Sequence, residues 1–297
     1  MTVYNQISEN RIKTFFIMFI FILIFSSFFF LIGKYYDSPW NYFFLGFFIS
    51  LLSSIGSYFY GDKLVLLTTG AKPADKKRFF DFYTVTENLA LADGLPVPKL
   101  YFINDPSPNA FATGRDPKHA VVCVTTGLLQ MMNRTELEGV IAHEMSHVKN
   151  YDILLASIVA VLVGTLSLIS DWIIRNMWWH RGSDNEERSN RNPIFFVLFL
   201  IALILTPIIA TIIQLAISRK REYLADASAV LLTRYPDGLV RALDKLNNNP
   251  QPLRRVASST AHLFIDNPFK KKNASWFANL FSTHPPIEER IRILKSM

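Results

Sequence analysis

The sequence offers almost nothing for covalent cross-links or for phosphate binding. Cys123 is the one cysteine among 297 residues, so no disulfide can form within the chain and folding needs no oxidising compartment. A glycine-rich phosphate loop and an RNA-binding signature are both absent. The formal net charge of +7 therefore gives no reason to expect a nucleic-acid partner.

Charged residues are also scarce, at 19% of the chain, whereas hydrophobic residues make up 50% and include 25 phenylalanines. This balance argues against a plain soluble protein and favours one that contacts a lipid bilayer. Four uncharged runs approach or exceed the length that crosses a bilayer as helix, namely 14–33, 38–61, 153–170 and 192–218. We expect the first to be a retained anchor, because no small-residue cleavage site follows it. A buried helical pair inside a soluble domain is the alternative for the last two.

Lysine and arginine in the short flanks predict the orientation of these spans. They follow the second and fourth runs, where they include Lys63, Lys72, Lys76, Lys77, Arg78, Arg219, Lys220 and Arg221. The polar segments 62–152 and 219–297 should therefore face the cytoplasm. The predicted organisation is a transmembrane hairpin (1–61), a first catalytic part (62–152), a second transmembrane pair (153–218) and a second catalytic part (219–297).

Local patterns in the polar segments predict a small sheet among helices. "PKLYFIN" and "HAVVCVTTGLL" are rich in β-branched and aromatic residues, as is typical of strands. "TELEGVIAHEMSHVKN" has helical periodicity, with Thr135 and Glu138 as a possible capping box. "RKREYLADASAVLLT" and "PDGLVRALDKLN" also predict helices. The expected fold class is α+β and mainly helical.

The helix predicted from Thr135 carries an H-E-x-x-H motif. His143 and His147 are four residues apart, so their imidazoles project from one face and can bind a single ion, with Glu144 on the same side. This spacing is typical of a zinc site. His119, His180 and His262 have no such partner spacing.

A catalytic zinc ion needs a third protein ligand and keeps a position for water. The metzincin pattern is excluded, because Asn150 and Ile153 stand where it requires glycine and histidine. The ligand must then be a Glu, Asp or His further along. Glu222 is the best candidate, since Asp226 follows one helical turn later and could accept the second N–H of a zinc-binding histidine.

The segments "NAFATG", "AHEMSHVKNYD", "SRKREYLADASA" and "THPPIEERI", in this order along the chain, resemble the HtpX family of membrane zinc endopeptidases, relatives of the CAAX prenyl proteases. The resemblance implies a zincin-like (gluzincin) catalytic domain with one Zn²⁺ per chain. It implies His143, His147 and Glu222 as ligands and Glu144 as the catalytic base. It also implies a multi-pass protein of a bacterial inner membrane whose cytoplasmic site degrades damaged or misfolded membrane proteins as part of stress-related quality control.

Two further roles are expected around this site. His284 is placed close to it by the resemblance and is our candidate for stabilising the oxyanion, with Tyr223 as a competitor. Arg290 is expected to anchor its own segment by an ion pair. An extended substrate is expected to pair with an edge strand at Asn109, Ala110, Phe111 and Ala112.

The sequence leaves three functions to compare. The leading one is a zinc endopeptidase acting on membrane proteins. The second is a non-proteolytic membrane scaffold or holdase with a structural zinc site, against which the presence of Glu144 argues, because a structural site needs no base. The third is a membrane-tethered metallohydrolase of small molecules.

Overall fold

Two long helices open the chain and form a hairpin. The structure is a computed structural model and describes residues 3–35, 37–179, 219–269 and 285–297. Helix α1 is Val3–Tyr35 and helix α2 is Pro39–Thr69. Proline at the first position suits the start of α2, because its missing N–H would have no helical partner there. Helix α2 ends at Gly70, whose φ of 68° lies in the left-handed region that glycine adopts readily.

Both hairpin helices are long and apolar enough to cross a membrane, over Ile7–Lys34 and Pro39–Thr69. The first predicted span lies within α1, and α2 covers the second except for its first residue, Ser38. Large apolar side chains cover their exposed faces, including Phe15, Phe16, Phe19, Phe44, Phe48 and Leu52. A third candidate span arises only if Arg134–Lys149 and Asp152–Leu168, which are bent by 83°, are taken together. The predicted span 192–218 lies outside the described residues. The described chain thus has two candidate membrane spans, or three with the bent pair, and the number of four spans stays a prediction.

A four-stranded sheet follows the hairpin. Its elements are β1 (Lys72–Pro73), helix α3 (Phe80–Asp93), β2 (Lys99–Ile103), β3 (Ala110–Thr113) and β4 (Val121–Thr125). The strand order is β1-β2-β4-β3, in which β2 and β4 are parallel and the other pairings are antiparallel. The two strands predicted from composition are β2 and β4, and β3 lies at the edge of the sheet.

The other regular elements of the described chain are helices and short 3₁₀ turns at Pro117–His119 and Ala261–Leu263. They are α4 (Thr126–Met131), α5 (Arg134–Lys149), α6 (Asp152–Trp179), α7 (Arg219–Thr233), α8 (Pro236–Asn248) and α9 (Ile287–Leu294). The segment "TGLL" of the second predicted strand belongs to α4. Thr125 ends the strand and caps this helix by accepting a hydrogen bond from Leu128 N–H.

Helix α5 begins two residues earlier than its predicted capping box requires. Asn133, not Thr135, is the N-cap residue: its side chain accepts from the Glu136 N–H, and the Glu136 side chain accepts from the Asn133 N–H. The predicted box of Thr135 and Glu138 is therefore wrong. Asparagine is a stronger N-cap residue than threonine, and Glu136 is also held by Lys245 Nζ at 2.6 Å.

The main hydrophobic core joins both polar segments. Residues of α3, α5 and the sheet pack there with residues of α7, α8 and α9. Gly139 lets α5 and α8 approach closely, because a Cβ at this position would lie 2.7 Å from the backbone nitrogen of Leu239. Helix α5, which carries the H-E-x-x-H motif, is consequently buried on nearly all sides.

Candidate metal centre

Two helices bring three potential ligands together. His143 and His147 come from α5 and Glu222 from the first turn of α7, and one ligand atom from each lies within 4.8 Å of the others. The two Nε2 atoms are 3.2 Å apart, and the Glu222 carboxylate oxygens lie 3.6 Å from His143 Nε2 and 3.5 Å from His147 Nε2. His143 and Glu222 are buried, whereas His147 keeps 16% of its side chain exposed. The group is thus buried yet reachable from the His147 side.

A carboxylate orients each histidine. The Nδ1 atom of His143 lies 2.9 Å from Asp226 Oδ1, and that of His147 lies 2.9 Å from Asp152 Oδ2. Because a carboxylate only accepts, both Nδ1 atoms act as donors, and the lone pairs of both Nε2 atoms are left for the space between them. Such outer carboxylates fix the tautomer and ring orientation of metal-binding histidines.

The pKa values of the two histidines move in opposite directions. Burial disfavours the imidazolium of His147, but the hydrogen bond to Asp152 and the charge of Glu222 outweigh it and raise the pKa to about 9. Burial lowers the pKa of His143, with help from the charge of Arg290, although Asp226 acts against this. A proton therefore binds His147 in preference to His143. A divalent cation at this point would replace that proton, so the donor set fits a metal ion.

Glu144 and Arg290 complete the charged interior of the site. Glu144 is 2% exposed and follows His143 directly on α5, and its negative charge adds to the effects of Asp152 and Glu222, which raise the pKa of His147 against the effect of burial. Arg290, from α9, pairs with both oxygens of Asp226. The expectation that Arg290 forms an anchoring ion pair thus agrees with the structure.

Comparison with known proteins identifies the family. The sequence pattern of Peptidase family M48 matches residues 77–297, which include all of the residues just described. The chain belongs to peptidase family M48.

Curated relatives of this M48 chain match over its full length. "Protease HtpX homolog" of Caldanaerobacter subterraneus subsp. tengcongensis is 48% identical over 100% of the chain and 98% of the relative. The protein of the same description from Tropheryma whipplei (strain Twist) is 48% identical over 99% and 98%. That of Lactobacillus helveticus is 42% identical over 99% of both. The resemblance to the HtpX family is confirmed, and the protein is a membrane-associated metallopeptidase.

A solved structure shares the fold of the M48 chain. The crystal structure of S. mikatae Ste24p superposes with a TM-score of 0.50 over 94% of this chain and 62% of the Ste24p chain. The sequences are 21% identical, so this likeness concerns the fold alone.

The structure describes only some of the other residues named from the sequence of this M48 chain. His284 and His180 are outside the described residues, so the oxyanion role of His284 stays a prediction. Burial and the hydrogen bond that Tyr223 makes with Glu289 raise the pKa of Tyr223. His119 contacts Asp116 near the surface, and His262 Nε2 lies 3.1 Å from the Ala156 carbonyl oxygen.

The predicted substrate strand is β3, and its outer edge is already in contact with another part of the chain. Phe111 forms an isolated antiparallel bridge with Phe264, and the Ile265 N–H donates to the Ala110 carbonyl at 2.9 Å. The Asn109 side chain donates to the Asp266 carbonyl at 2.9 Å. Substrate pairing at Asn109–Ala112 stays a prediction, and it requires the segment 264–266 to move away from β3.

Asp152 is the site residue that sequence reasoning missed. It lies five positions after His147, beyond the end of α5, so helical periodicity does not place it beside that histidine. The bend at Tyr151, whose φ is 60°, turns it back towards the imidazole. The available signal was a carboxylate just past the motif helix, in "KNYD".

Proposed function

We propose that this protein is a zinc-dependent endopeptidase of a bacterial inner membrane that hydrolyses damaged or misfolded membrane proteins. The observation that carries the proposal is the convergence of two Nε2 lone pairs and one carboxylate, each imidazole oriented by its own carboxylate, next to a buried glutamate. Imidazole and carboxylate ligands suit zinc, and catalytic zinc sites use three protein ligands.

The residues of the site would divide the work of hydrolysis. His143, His147 and Glu222 would hold the ion, which when bound would polarise the scissile carbonyl and activate water. Glu144 would take the proton of the attacking water and return it to the leaving amine. Asp226 and Asp152 would keep both imidazoles in the tautomer that presents Nε2 to the ion. His284 is proposed as the donor that stabilises the developing oxyanion.

The position of the site beside the hairpin supports membrane proteins as substrates. The side chain of Asn10 in α1 bonds to Asn150 and Asp152, and α2 leads directly into the sheet. Both open ends of the hairpin therefore lie on the side of the metal centre. Because lysine and arginine concentrate at these ends, we propose that this side is the cytoplasmic one.

The scaffold hypothesis predicts a different metal site. A structural zinc ion has four protein ligands, whereas three are grouped in the part of the chain that the structure describes. The partial exposure of the His147 side chain also suits a metal site with an exchangeable water ligand better than a fully closed site. The third hypothesis, hydrolysis of small molecules, predicts the same metal site as an endopeptidase, so only the substrates that are cleaved distinguish the two.

Substrate choice and metal content test the proposal together. The detergent-purified, lipid-supplemented protein is expected to hold about one zinc ion per chain, as a three-ligand site requires. It should cleave an unfolded membrane protein and leave the folded form and small ester substrates intact. His143→Ala and Glu222→Ala should lose zinc and cleavage, whereas Glu138→Gln, on the same helix as His143, should retain both. Cleavage by the zinc-free protein, or hydrolysis of small esters alone, would contradict the proposal.

A further inference from the structure

The first part of α1 docks onto the bend between α5 and α6. At this bend α5 ends at Lys149 and α6 begins at Asp152, with Tyr151 in the left-handed region at φ 60°. The Arg11 guanidinium lies over the Tyr151 ring, 4.6 Å from its centroid. Asn10, one residue earlier, is 3% exposed. A buried asparagine near the end of a membrane helix points to a specific polar role.

Both the nitrogen and the oxygen of the Asn10 side-chain amide contact residues around the bend between α5 and α6. Its Nδ2 donates to Asp152 Oδ1 at 2.7 Å and to the Asn150 carbonyl oxygen at 2.9 Å. Its Oδ1 lies 3.4 Å from Arg221 Nη1, which also donates to Asp152 Oδ1 at 3.1 Å. Asn150 is the C-cap residue of α5, so Asn10 contacts both the end of one helix and the start of the next.

Asp152 connects Asn10 to the metal centre. One of its oxygens, Oδ1, receives Asn10 and Arg221, while the other, Oδ2, lies 2.9 Å from His147 Nδ1. Rotation of this carboxylate would change the direction in which it holds the imidazole. A donor fixed on Oδ1 therefore limits the orientations open to His147.

We propose that Asn10 is a positioning residue of the metal centre, which acts through Asp152 to fix the orientation of His147. This inference rests on the proposed zinc site. It makes the transmembrane hairpin part of the site rather than only its anchor. Arg221 supplies positive charge to the same oxygen of Asp152. The neutral amide of Asn10 instead fixes the orientation of the carboxylate, because its second hydrogen bond, to the Asn150 carbonyl, holds the amide in place.

Zinc affinity of the detergent-purified full chain, measured by competition with a chromophoric chelator, tests this proposal. Loss of a direct outer partner costs about 10- to 100-fold in metal affinity, which is the effect expected for Asp152→Ala. Asn10→Leu removes the amide at similar side-chain volume. Asn10 is one hydrogen bond further from His147 than Asp152 is, so the zinc Kd of this variant should rise by a smaller factor, roughly three- to tenfold. If the leucine does not pack, Asn10→Ala takes its place.

Phe21→Ala is the matched control on the same helix. Phe21 belongs to the apolar cluster that α1 and α6 share, which includes Leu155 and Ile158, and it lies 11 positions after Asn10 along α1. This variant loosens the contact of α1 with α6 without removing a polar group, so its zinc Kd should stay within about twofold of wild type. The visible absorption bands of the Co²⁺-substituted protein give a second readout. Asn10→Leu should shift these bands, whereas Phe21→Ala should not.

A double-mutant cycle separates positioning from general loosening. In the Asp152→Ala background, Asn10→Leu should cause no further loss of zinc affinity, because the residue that transmits its effect is gone. An unchanged Kd in Asn10→Leu, an equal loss in both backgrounds, or the same loss in Phe21→Ala would each overturn the proposal. A wild-type chain that binds no zinc would instead overturn the proposed function.

Discussion

Arg290 and Asp226 form a buried, two-pronged ion pair behind the metal centre. Arg290 Nε donates to Asp226 Oδ2 at 2.8 Å and Nη2 donates to Oδ1 at 2.7 Å, and the arginine is 0% exposed. Asp226 Oδ1 is also the atom that His143 Nδ1 contacts. The C-terminal helix α9 is thereby linked to a proposed zinc ligand through one carboxylate.

Removal of Arg290 should destabilise the protein strongly. Arg290→Ala leaves the Asp226 carboxylate buried without its cation, which typically costs about 3–5 kcal/mol of unfolding free energy. Thermal and denaturant unfolding of the detergent-purified protein measures this loss. Arg292→Ala, which removes an exposed arginine from the same helix, is the control and should be nearly neutral. Equal stability of the two variants would show that the buried pair contributes little.

The same pair predicts how stability depends on acid. Burial opposes ionisation of Asp226, but the charge and hydrogen bonds of Arg290 lower its pKa from 3.8 to about 2. A carboxyl group whose folded pKa is lowered stabilises the fold above its unfolded pKa, and this stability is lost as pH falls through the folded pKa. The stability advantage of wild type over Asp226→Asn should therefore shrink between about pH 4 and pH 2.

Unfolding of both metal-free proteins across this pH range, with a chelator present, measures the difference directly. The part of the advantage that depends on pH should be on the order of 2 kcal/mol. A difference that stays constant from pH 6 to pH 2 would contradict the lowered pKa of Asp226.

Two glycine substitutions should act in opposite directions. Gly139→Ala places a Cβ 2.7 Å from the backbone nitrogen of Leu239, so α5 and α8 must separate at an expected cost of about 1–3 kcal/mol. Gly56 in α2 has nothing within 4 Å of such a Cβ. Gly56→Ala should therefore be neutral or stabilising by up to about 1 kcal/mol. Thermal unfolding checks both, and a loss of stability in Gly56→Ala but not in Gly139→Ala would be inconsistent with the packing described.

The proposed orientation can be tested by cysteine labelling. Cys123 is 0% exposed, so the wild-type chain should react little with a membrane-impermeant maleimide. Asp37→Cys, in the turn of the hairpin, should be labelled in intact cells. Lys118→Cys, an exposed position beside the sheet, should be labelled only after the membrane is opened. The reverse pattern would place the metal centre on the other side of the membrane.

Helices with strong periodicity were predicted from the sequence almost to the residue. Helix α7 has the predicted bounds of 219–233, and α8 ends one residue beyond its predicted segment. The predicted start of α5 was wrong because two overlapping pairs satisfy a capping pattern, Asn133 with Glu136 and Thr135 with Glu138. The stronger N-cap preference of asparagine and the contact of Glu136 with Lys245 favour the first pair.

Contacts between distant elements could not be predicted in this way. Motif spacing brings His143 beside His147, but the approach of Asp152 depends on a left-handed residue at the bend. The contact of Asn10 with Asp152 joins positions 142 residues apart, and neither residue carries a pattern that names the other. Such links arise from how α1 packs on the bend, which only the tertiary structure shows.

Substitution of the proposed base tests the central claim most directly. Wild type, Glu144→Gln and the control Glu138→Gln are compared for zinc content and for cleavage of an unfolded model protein in detergent with added lipid. The account predicts about one zinc ion per chain in all three and cleavage by wild type and Glu138→Gln only. If Glu144→Gln holds zinc and cleaves as fast as wild type, Glu144 is not the base, and the mechanism derived from this site is wrong.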